Sequence, residues 1–135
     1  MKEQTLYTFG YLHRKAERII TELIALRIPL VDIRFKPDSK NWRYKQEALR
    51  SRSGIIYLHI VELGNELYKD ALNGTFTEPH IQLHAPDTGL ARLKEVLDKY
   101  DSAAIFCACA NKTTCHRIVV ADMAHDRLGV KVVHL

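Results

Sequence analysis

The chain has 135 residues, of which 47% are hydrophobic and 27% are charged, and its net charge is +4. This composition excludes a disordered chain, and no apolar run approaches the roughly 20 residues that span a bilayer. The N-terminal segment lacks the apolar core of a secretory signal, so the sequence favours one cytoplasmic α/β domain over residues 1–135, with no membrane partner.

Predicted strands and helices alternate along the chain. Short apolar or β-branched runs predict strands, and apolar residues at helical spacing predict helices. We expect strands at 5–9, 29–33, 55–59, 102–107 and 130–134, and helices at 13–27, 42–51, 89–100 and 115–128. This order predicts a three-layer α/β sandwich, with a mainly parallel, Rossmann-like sheet of about five strands and helices on both faces.

The connection between Glu62 and Asp87 is longer than most connections in compact domains. We predict a short helix around 67–72 within this connection. Such a long connection predicts a lid or a binding loop.

Sheets of this kind bind their ligands beyond the carboxyl ends of their strands. Candidate residues follow four of the predicted strands at that edge: Gly10, Tyr11, Asp32, Arg34, His59 and Cys107. We therefore expect these side chains to converge on one edge of the sheet.

The segment from Phe106 to Arg117 indicates a strand, a polar loop and the start of a helix. Thr113 or Thr114 is expected to cap that helix, whose first backbone N–H groups then favour an anion. Arg117 adds a bidentate donor for phosphate or carboxylate, and a neighbouring cation favours the thiolate form of a cysteine.

From these features we predict a substrate-binding set and a reacting group. Substrate binding is assigned to Gly10, Tyr11, Arg34, Cys115 and Arg117, and the candidate reacting groups are Asp32, Cys107 and His116. Asp32 and Arg34 can equally form an ion pair that positions a loop, and both interpretations stay open.

The three cysteines lie within nine residues of one another, an odd number that argues for reduced thiols rather than a disulfide framework. Four interpretations stay open: a nucleophilic or redox cysteine, an anion-binding loop with packed thiols, a zinc site, or a purely structural role. Zinc would use Cys107, Cys109, Cys115 and His116, but their spacing differs from the usual C-x2-C knuckles. No metal or cofactor is therefore assigned.

The segment 34–52 carries seven basic and two acidic residues, so most of the positive charge lies there. Lys40, Arg43 and Lys45 are interleaved with Trp42 and Tyr44, a pattern that predicts nucleic-acid binding. A solvated loop whose aromatic rings cover the core is the alternative. The expected partner is an anionic small molecule or a nucleic acid.

Several of these motifs occur together in one known family. They are Tyr7–Tyr11, Leu30–Arg34 with Pro37 and Ser39, Gly54–Tyr57 with His59, Leu63-Gly64, Phe106-Cys107 and Cys115-His116-Arg117. In this order the chain resembles the domain-of-unknown-function family 488, a bacterial and archaeal family without an established activity. The resemblance implies a Rossmann-like sandwich with a site at these motifs. Family members often have an acidic residue where this chain has Cys109, so no carboxylate role is transferred to that position.

The leading hypothesis is an enzyme that acts on a nucleotide-like, nucleic-acid or other phosphorylated substrate. Two alternatives are a non-catalytic nucleic-acid-binding module that uses Lys40, Arg43 and Lys45, and a cysteine-based redox or sulfur-transfer protein.

Overall fold

The computed structural model describes residues 3–12, 15–37, 39–67, 81–108 and 116–135. These residues form a sheet of five parallel strands, in the spatial order β3-β2-β4-β1-β5. The strands are β1 (Thr5–Gly10), β2 (Leu30–Asp32), β3 (Tyr57–His59), β4 (Ser102–Cys107) and β5 (Lys131–His134). The predicted α/β, Rossmann-like fold is confirmed.

Among the described residues, four helices connect the strands: α1 (Ala16–Ala25), α2 (Gln46–Ser51), α3 (Pro86–Tyr100) and α4 (His116–Leu128). Two single 3-10 turns, Trp42–Tyr44 and Val61–Leu63, accompany them. Every helix in the described ranges is too short or too polar to cross a membrane.

Strand β4 lies at the centre of the sheet, and its side chains alternate between two separate cores. Ala103, Ile105 and Cys107 pack with α3 and α4. Ala104 and Phe106 pack with α1 and α2. This period of two follows from the pleat of the strand, and it places helices on both faces of the sheet.

Some element boundaries differ from the sequence prediction. The helix expected at 42–51 is divided into a 3-10 turn and α2, because Lys45 between them has an extended backbone (φ −69, ψ 148). Helix α3 begins three residues earlier than expected, at Pro86, where a proline is tolerated because the first helical N–H groups need no partner within the helix. The short helix expected around 67–72 lies almost entirely outside the described residues.

The two ends of the long connection are tied to each other. Asn65 and Leu83 form an antiparallel bridge. The side-chain oxygen of Asn65 also accepts hydrogen bonds from the backbone N–H groups of Leu67 and Gln82, each at 3.0 Å. The base of the predicted loop is therefore fixed, and its role as a lid stays a prediction.

Candidate functional site

The carboxyl ends of β2, β4 and β1 lie side by side at one edge of the sheet. In the strand register Asp32 is opposite Phe106, and Gly10 is opposite Cys107. The backbone N–H of Tyr11 donates to the carbonyl oxygen of Cys107 at 3.0 Å, which holds the segment after β1 against the end of β4.

Asp32 and Arg34 form a buried ion pair at this edge. Asp32 is 0% exposed and Arg34 is 6% exposed. The backbone N–H and Nε of Arg34 donate to Oδ1 of Asp32 at 3.0 and 2.8 Å, and Nη2 donates to Oδ2 at 2.6 Å. Tyr57 adds a fourth hydrogen bond from its hydroxyl to Oδ2 at 2.5 Å. Both carboxylate oxygens are thus occupied by neighbouring side chains.

The contacts with Asp32 favour the charged form of Arg34. Burial alone lowers the pKa of Arg34, but the hydrogen bonds and negative charge of Asp32 outweigh it and raise that pKa above its usual value. Burial and the adjacent Asp32 carboxylate raise the pKa of Tyr57 as well, so its hydroxyl keeps the proton that it donates.

Arg34 also connects β2 to the turn at Trp42–Tyr44 and to β1. Its Nη1 donates to the carbonyl oxygen of Tyr44 at 2.7 Å. Its guanidinium lies 5.3 Å from the ring centroid of Tyr11, whose ring is stacked on Tyr44 at 4.6 Å. His59 donates from Nε2 to the carbonyl oxygen of Arg34 at 2.8 Å. Arg34 therefore acts as a cross-link between elements that are distant in sequence.

Cys107, His116 and Arg117 form a second group. Arg117 is 4% exposed, and its Nη1 donates to Sγ of Cys107 at 3.4 Å. His116 is 8% exposed and donates from Nε2 to the carbonyl oxygen of Ile33 at 2.7 Å. Burial lowers the pKa of His116, so its imidazole is neutral near pH 7.

The sheet separates the two groups, which the sequence prediction placed together. Asp32 and Arg34 lie on the side of α1 and α2, with Tyr11 and Tyr44, whereas Cys107 packs in the core with α3 and α4. The reason is the alternation of side chains along each strand. The hydrogen bond from His116 to the Ile33 carbonyl, one residue after Asp32, joins the two groups, and the charge of Asp32 also acts on the His116 imidazole.

The state of Cys107 differs from the expected reduced thiol. Cys107 is disulfide-bonded. The other two cysteines, Cys109 and Cys115, lie outside the described residues, as do the proposed capping residues Thr113 and Thr114. Because all three cysteines lie within nine residues, closing a disulfide between two of them requires only a short loop. Among the described residues no group of three or more potential ligands could hold a metal ion.

Both groups of residues lie in a part of the chain that matches a known protein family. A family model described as "Domain of unknown function DUF488" matches residues 15–124. The chain belongs to this family. The matched range of the DUF488 protein includes β2, β3, β4 and most of α4, and thus both groups of site residues. No curated protein and no solved structure matches the chain.

The basic residues predicted to bind nucleic acid lie on the surface of the DUF488 protein. Lys40, Arg43 and Lys45 are all exposed, and Trp42 between them is 67% exposed. Tyr44 points inward instead and is 5% exposed. This turn is attached to the carboxyl edge through the hydrogen bond between Arg34 and the Tyr44 carbonyl.

The sequence prediction gave little weight to two residues that contribute to the site, Tyr57 and Tyr44. Tyr57 reaches Asp32 because β3 pairs with β2 in a register that sets Tyr57 opposite Leu30, two residues before Asp32. The Tyr44 hydroxyl donates to Glu17 at 2.8 Å, and burial together with this hydrogen bond raises the pKa of Tyr44 to about 12. An aromatic residue among basic ones was the only sequence signal for Tyr44.

Proposed function

We propose that this DUF488 protein is an enzyme that acts on a nucleotide-like, nucleic-acid or other phosphorylated substrate at the carboxyl edge of its sheet. The observation that carries the proposal is the contact of 3.4 Å between Nη1 of Arg117 and Sγ of Cys107. A guanidinium binds phosphate oxygens in a bidentate manner, and beside a reduced cysteine it favours the nucleophilic thiolate.

In this proposal Cys107, once its disulfide is reduced, is the reacting group beside Arg117. Both oxygens of Asp32 accept hydrogen bonds from Arg34 or Tyr57, so proton transfer to Asp32 requires breaking a buried ion pair. His116 has one ring nitrogen bonded to the Ile33 carbonyl, which suits an orienting role. In this proposal Arg117 binds the anion, and Asp32 with Arg34 positions the edge.

A thermal-shift screen with the reduced protein tests the proposal. Nucleotides, phosphosugars and short oligonucleotides are compared on the wild type, on Arg117→Gln and on Arg127→Gln. Arg127 is the matched control because it lies on the same helix and is exposed, where it pairs with Asp87 at 2.6 Å.

A ligand that binds the folded state raises Tm in proportion to its occupancy. We expect a phosphorylated compound to raise Tm for the wild type and for Arg127→Gln, and to lose most of that shift in Arg117→Gln. An equal shift in all three proteins, or no shift from any phosphorylated compound, would contradict the proposal.

The disulfide at Cys107 favours a second candidate function, thiol–disulfide exchange. In that reaction two glutathione thiols are oxidised to glutathione disulfide, and the protein disulfide is reduced to two cysteine thiols. A cation that stabilises the thiolate stabilises the reduced form, which makes the disulfide more oxidising. Titration of wild type and Arg117→Gln with glutathione buffers tests this candidate. We expect a lower reduction potential in Arg117→Gln, and equal potentials would contradict it.

A further inference from the structure

A surface next to the carboxyl edge combines an exposed aromatic ring with several cations. We call it the Trp42 surface, and it consists of Lys40, Trp42, Arg43 and Lys45. Among the described residues, Trp42 is one of four large hydrophobic side chains that are exposed. An open pocket of about 460 Å³ adjoins it, lined by Glu17, Trp42, Arg43, Ala48, Ser51 and Arg52.

Short-range hydrogen bonds fix the shape of this turn. The side-chain oxygen of Asn41 accepts from the backbone N–H of Arg43 at 3.1 Å, and the Trp42 carbonyl accepts from the N–H of Lys45 at 3.2 Å. As a result Tyr44 packs inward, while the Trp42 ring is held outward with the Arg43 guanidinium 5.9 Å from its centroid. The backbone of the turn is thus held by hydrogen bonds, and the ring is presented to solvent.

The charge around the ring is positive. Glu17, the acidic residue that lines the pocket, pairs with Arg52 Nη1 at 2.9 Å and accepts a hydrogen bond from the Tyr44 hydroxyl at 2.8 Å. Among the described residues of the segment 34–52, Glu47 in the first turn of α2 is the acidic residue, and it is exposed; Asp38 lies outside the described residues. Lys40, Arg43 and Lys45 therefore outnumber the acidic groups that face solvent here.

We propose that the Trp42 surface binds single-stranded nucleic acid, with an unpaired base stacked on Trp42 and the phosphates held by Lys40, Arg43 and Lys45. Aromatic rings beside cations bind single strands because every base offers a face for stacking and every linkage offers a charge. A duplex hides those faces, and α2, with six residues, is a poor reader of a groove. This inference does not depend on the reactivity of Cys107 or on anion binding by Arg117.

The experiment uses the fact that Trp42 is the only tryptophan of the chain. Oligo(dT) and oligo(rU) of about ten nucleotides are titrated into the whole protein, and the intrinsic fluorescence is recorded. We expect saturable quenching by both single strands and little effect of a duplex of the same length. A salt series should give a slope of log K against log[salt] of about −2, as expected for three phosphate contacts with a single strand.

Variants distinguish the Trp42 surface from general attraction to a basic protein. Anisotropy of a labelled oligonucleotide is measured on Trp42→Ala, for which we expect binding about 5- to 150-fold weaker. The triple variant Lys40→Gln, Arg43→Gln, Lys45→Gln should lose most of its affinity and its salt dependence. The matched control changes the same number of exposed cations on α3, Arg92→Gln, Lys94→Gln and Lys99→Gln, and should bind like the wild type.

Three outcomes would overturn the inference: absence of quenching, tighter binding of the duplex, or equal loss of binding in the two triple variants. Trp42→Ala and the first triple variant leave Arg117 unchanged, so both should keep the Tm shift that small phosphorylated compounds give the wild type. Failure of the proposed enzymatic site and failure of the Trp42 surface therefore give different results.

Discussion

The carboxylate of Asp32 and the guanidinium of Arg34, two residues apart in sequence, face each other through two parallel contacts of 2.8 and 2.6 Å in the interior of the protein. Arg34 also donates a hydrogen bond to the Tyr44 carbonyl oxygen, and the Tyr57 hydroxyl donates one to Oδ2 of Asp32. This pair therefore determines how β2, β3 and the basic turn are held together at the candidate site.

Removal of either partner should be costly because it leaves an uncompensated buried charge. For Asp32→Ala and for Arg34→Ala we expect a loss of about 3–5 kcal/mol in the free energy of unfolding, measured by urea denaturation. The double variant should lose less than the sum of the two. Arg18→Ala, which breaks an exposed pair with Glu22, is the control and should cost about 0.3–0.5 kcal/mol. Equal losses at the buried and exposed pairs would refute the structural role of Asp32 and Arg34.

His116 should make stability depend on pH. Burial lowers its pKa in the folded protein, whereas the unfolded chain binds a proton at about pH 6.5. The unfolded state therefore binds more protons below that pH, and stability should fall as the pH is lowered from about 6.5 toward the lowered pKa. The control is His125→Gln, because exposed His125 also bonds a backbone carbonyl, that of Val130.

Denaturation series across this pH range should show a shallower decline in His116→Gln than in the wild type and His125→Gln. Parallel curves for all three proteins would rule out His116 as the buried neutral group.

Tyr44 should ionise late in an alkaline titration. Burial and the hydrogen bond to Glu17 raise the pKa of Tyr44 to about 12, so the folded protein keeps a proton there that the unfolded chain releases near pH 10. Ultraviolet absorbance of tyrosinate should show a step near pH 12 that Tyr44→Phe removes. Glu17→Gln should move this step to lower pH because the neighbouring negative charge is gone. A titration unchanged by both substitutions would be inconsistent with the contact.

Gly64 should not tolerate a side chain. A Cβ atom added there would lie 2.5 Å from the Cα and 2.7 Å from the backbone nitrogen of Phe35, the residue after Arg34. Because backbone atoms cannot yield as a side-chain tip can, we expect Gly64→Ala to cost about 3 kcal/mol or more. Gly129→Ala is the comparison: its Cβ meets nothing within 4 Å, and only the left-handed backbone (φ +68) costs about 1–2 kcal/mol. Urea midpoints of the two variants measure the difference, and a smaller effect at Gly64 would contradict the close approach.

The sequence predicted the elements better than it predicted their neighbours. Strand β4 has the predicted bounds, Ser102–Cys107, because a run of buried apolar residues between a helix and a polar loop has few other conformations. The adjacency of β2 to β4 was not predictable, since it depends on contacts between residues some 70 positions apart. Consequently the placement of Cys107 and Asp32 on opposite faces of neighbouring strands emerged only from the structure.

The local chemistry was partly predictable. An acidic and a basic residue two positions apart on a strand share a face, and that spacing allowed the ion pair of Asp32 and Arg34 as one interpretation. A single 3-10 turn, capped by Asn41, directs the Tyr44 side chain toward the core and the Trp42 side chain toward solvent. A pattern of residue types does not determine which of two neighbouring rings is buried.

The position of β4 between β2 and β1 has a consequence for synthesis on the ribosome. Strands β1 and β2 are synthesised early, yet they share no hydrogen bonds with each other. Both pair with residues 102–107, which are synthesised later. Until residues 102–107 are available, the edges of β1 and β2 that pair with β4 stay unpaired, and unpaired strand edges are sites where other chains can add. Because the middle strand comes late in the sequence, the sheet and its carboxyl edge form together, once residues 102–107 are available.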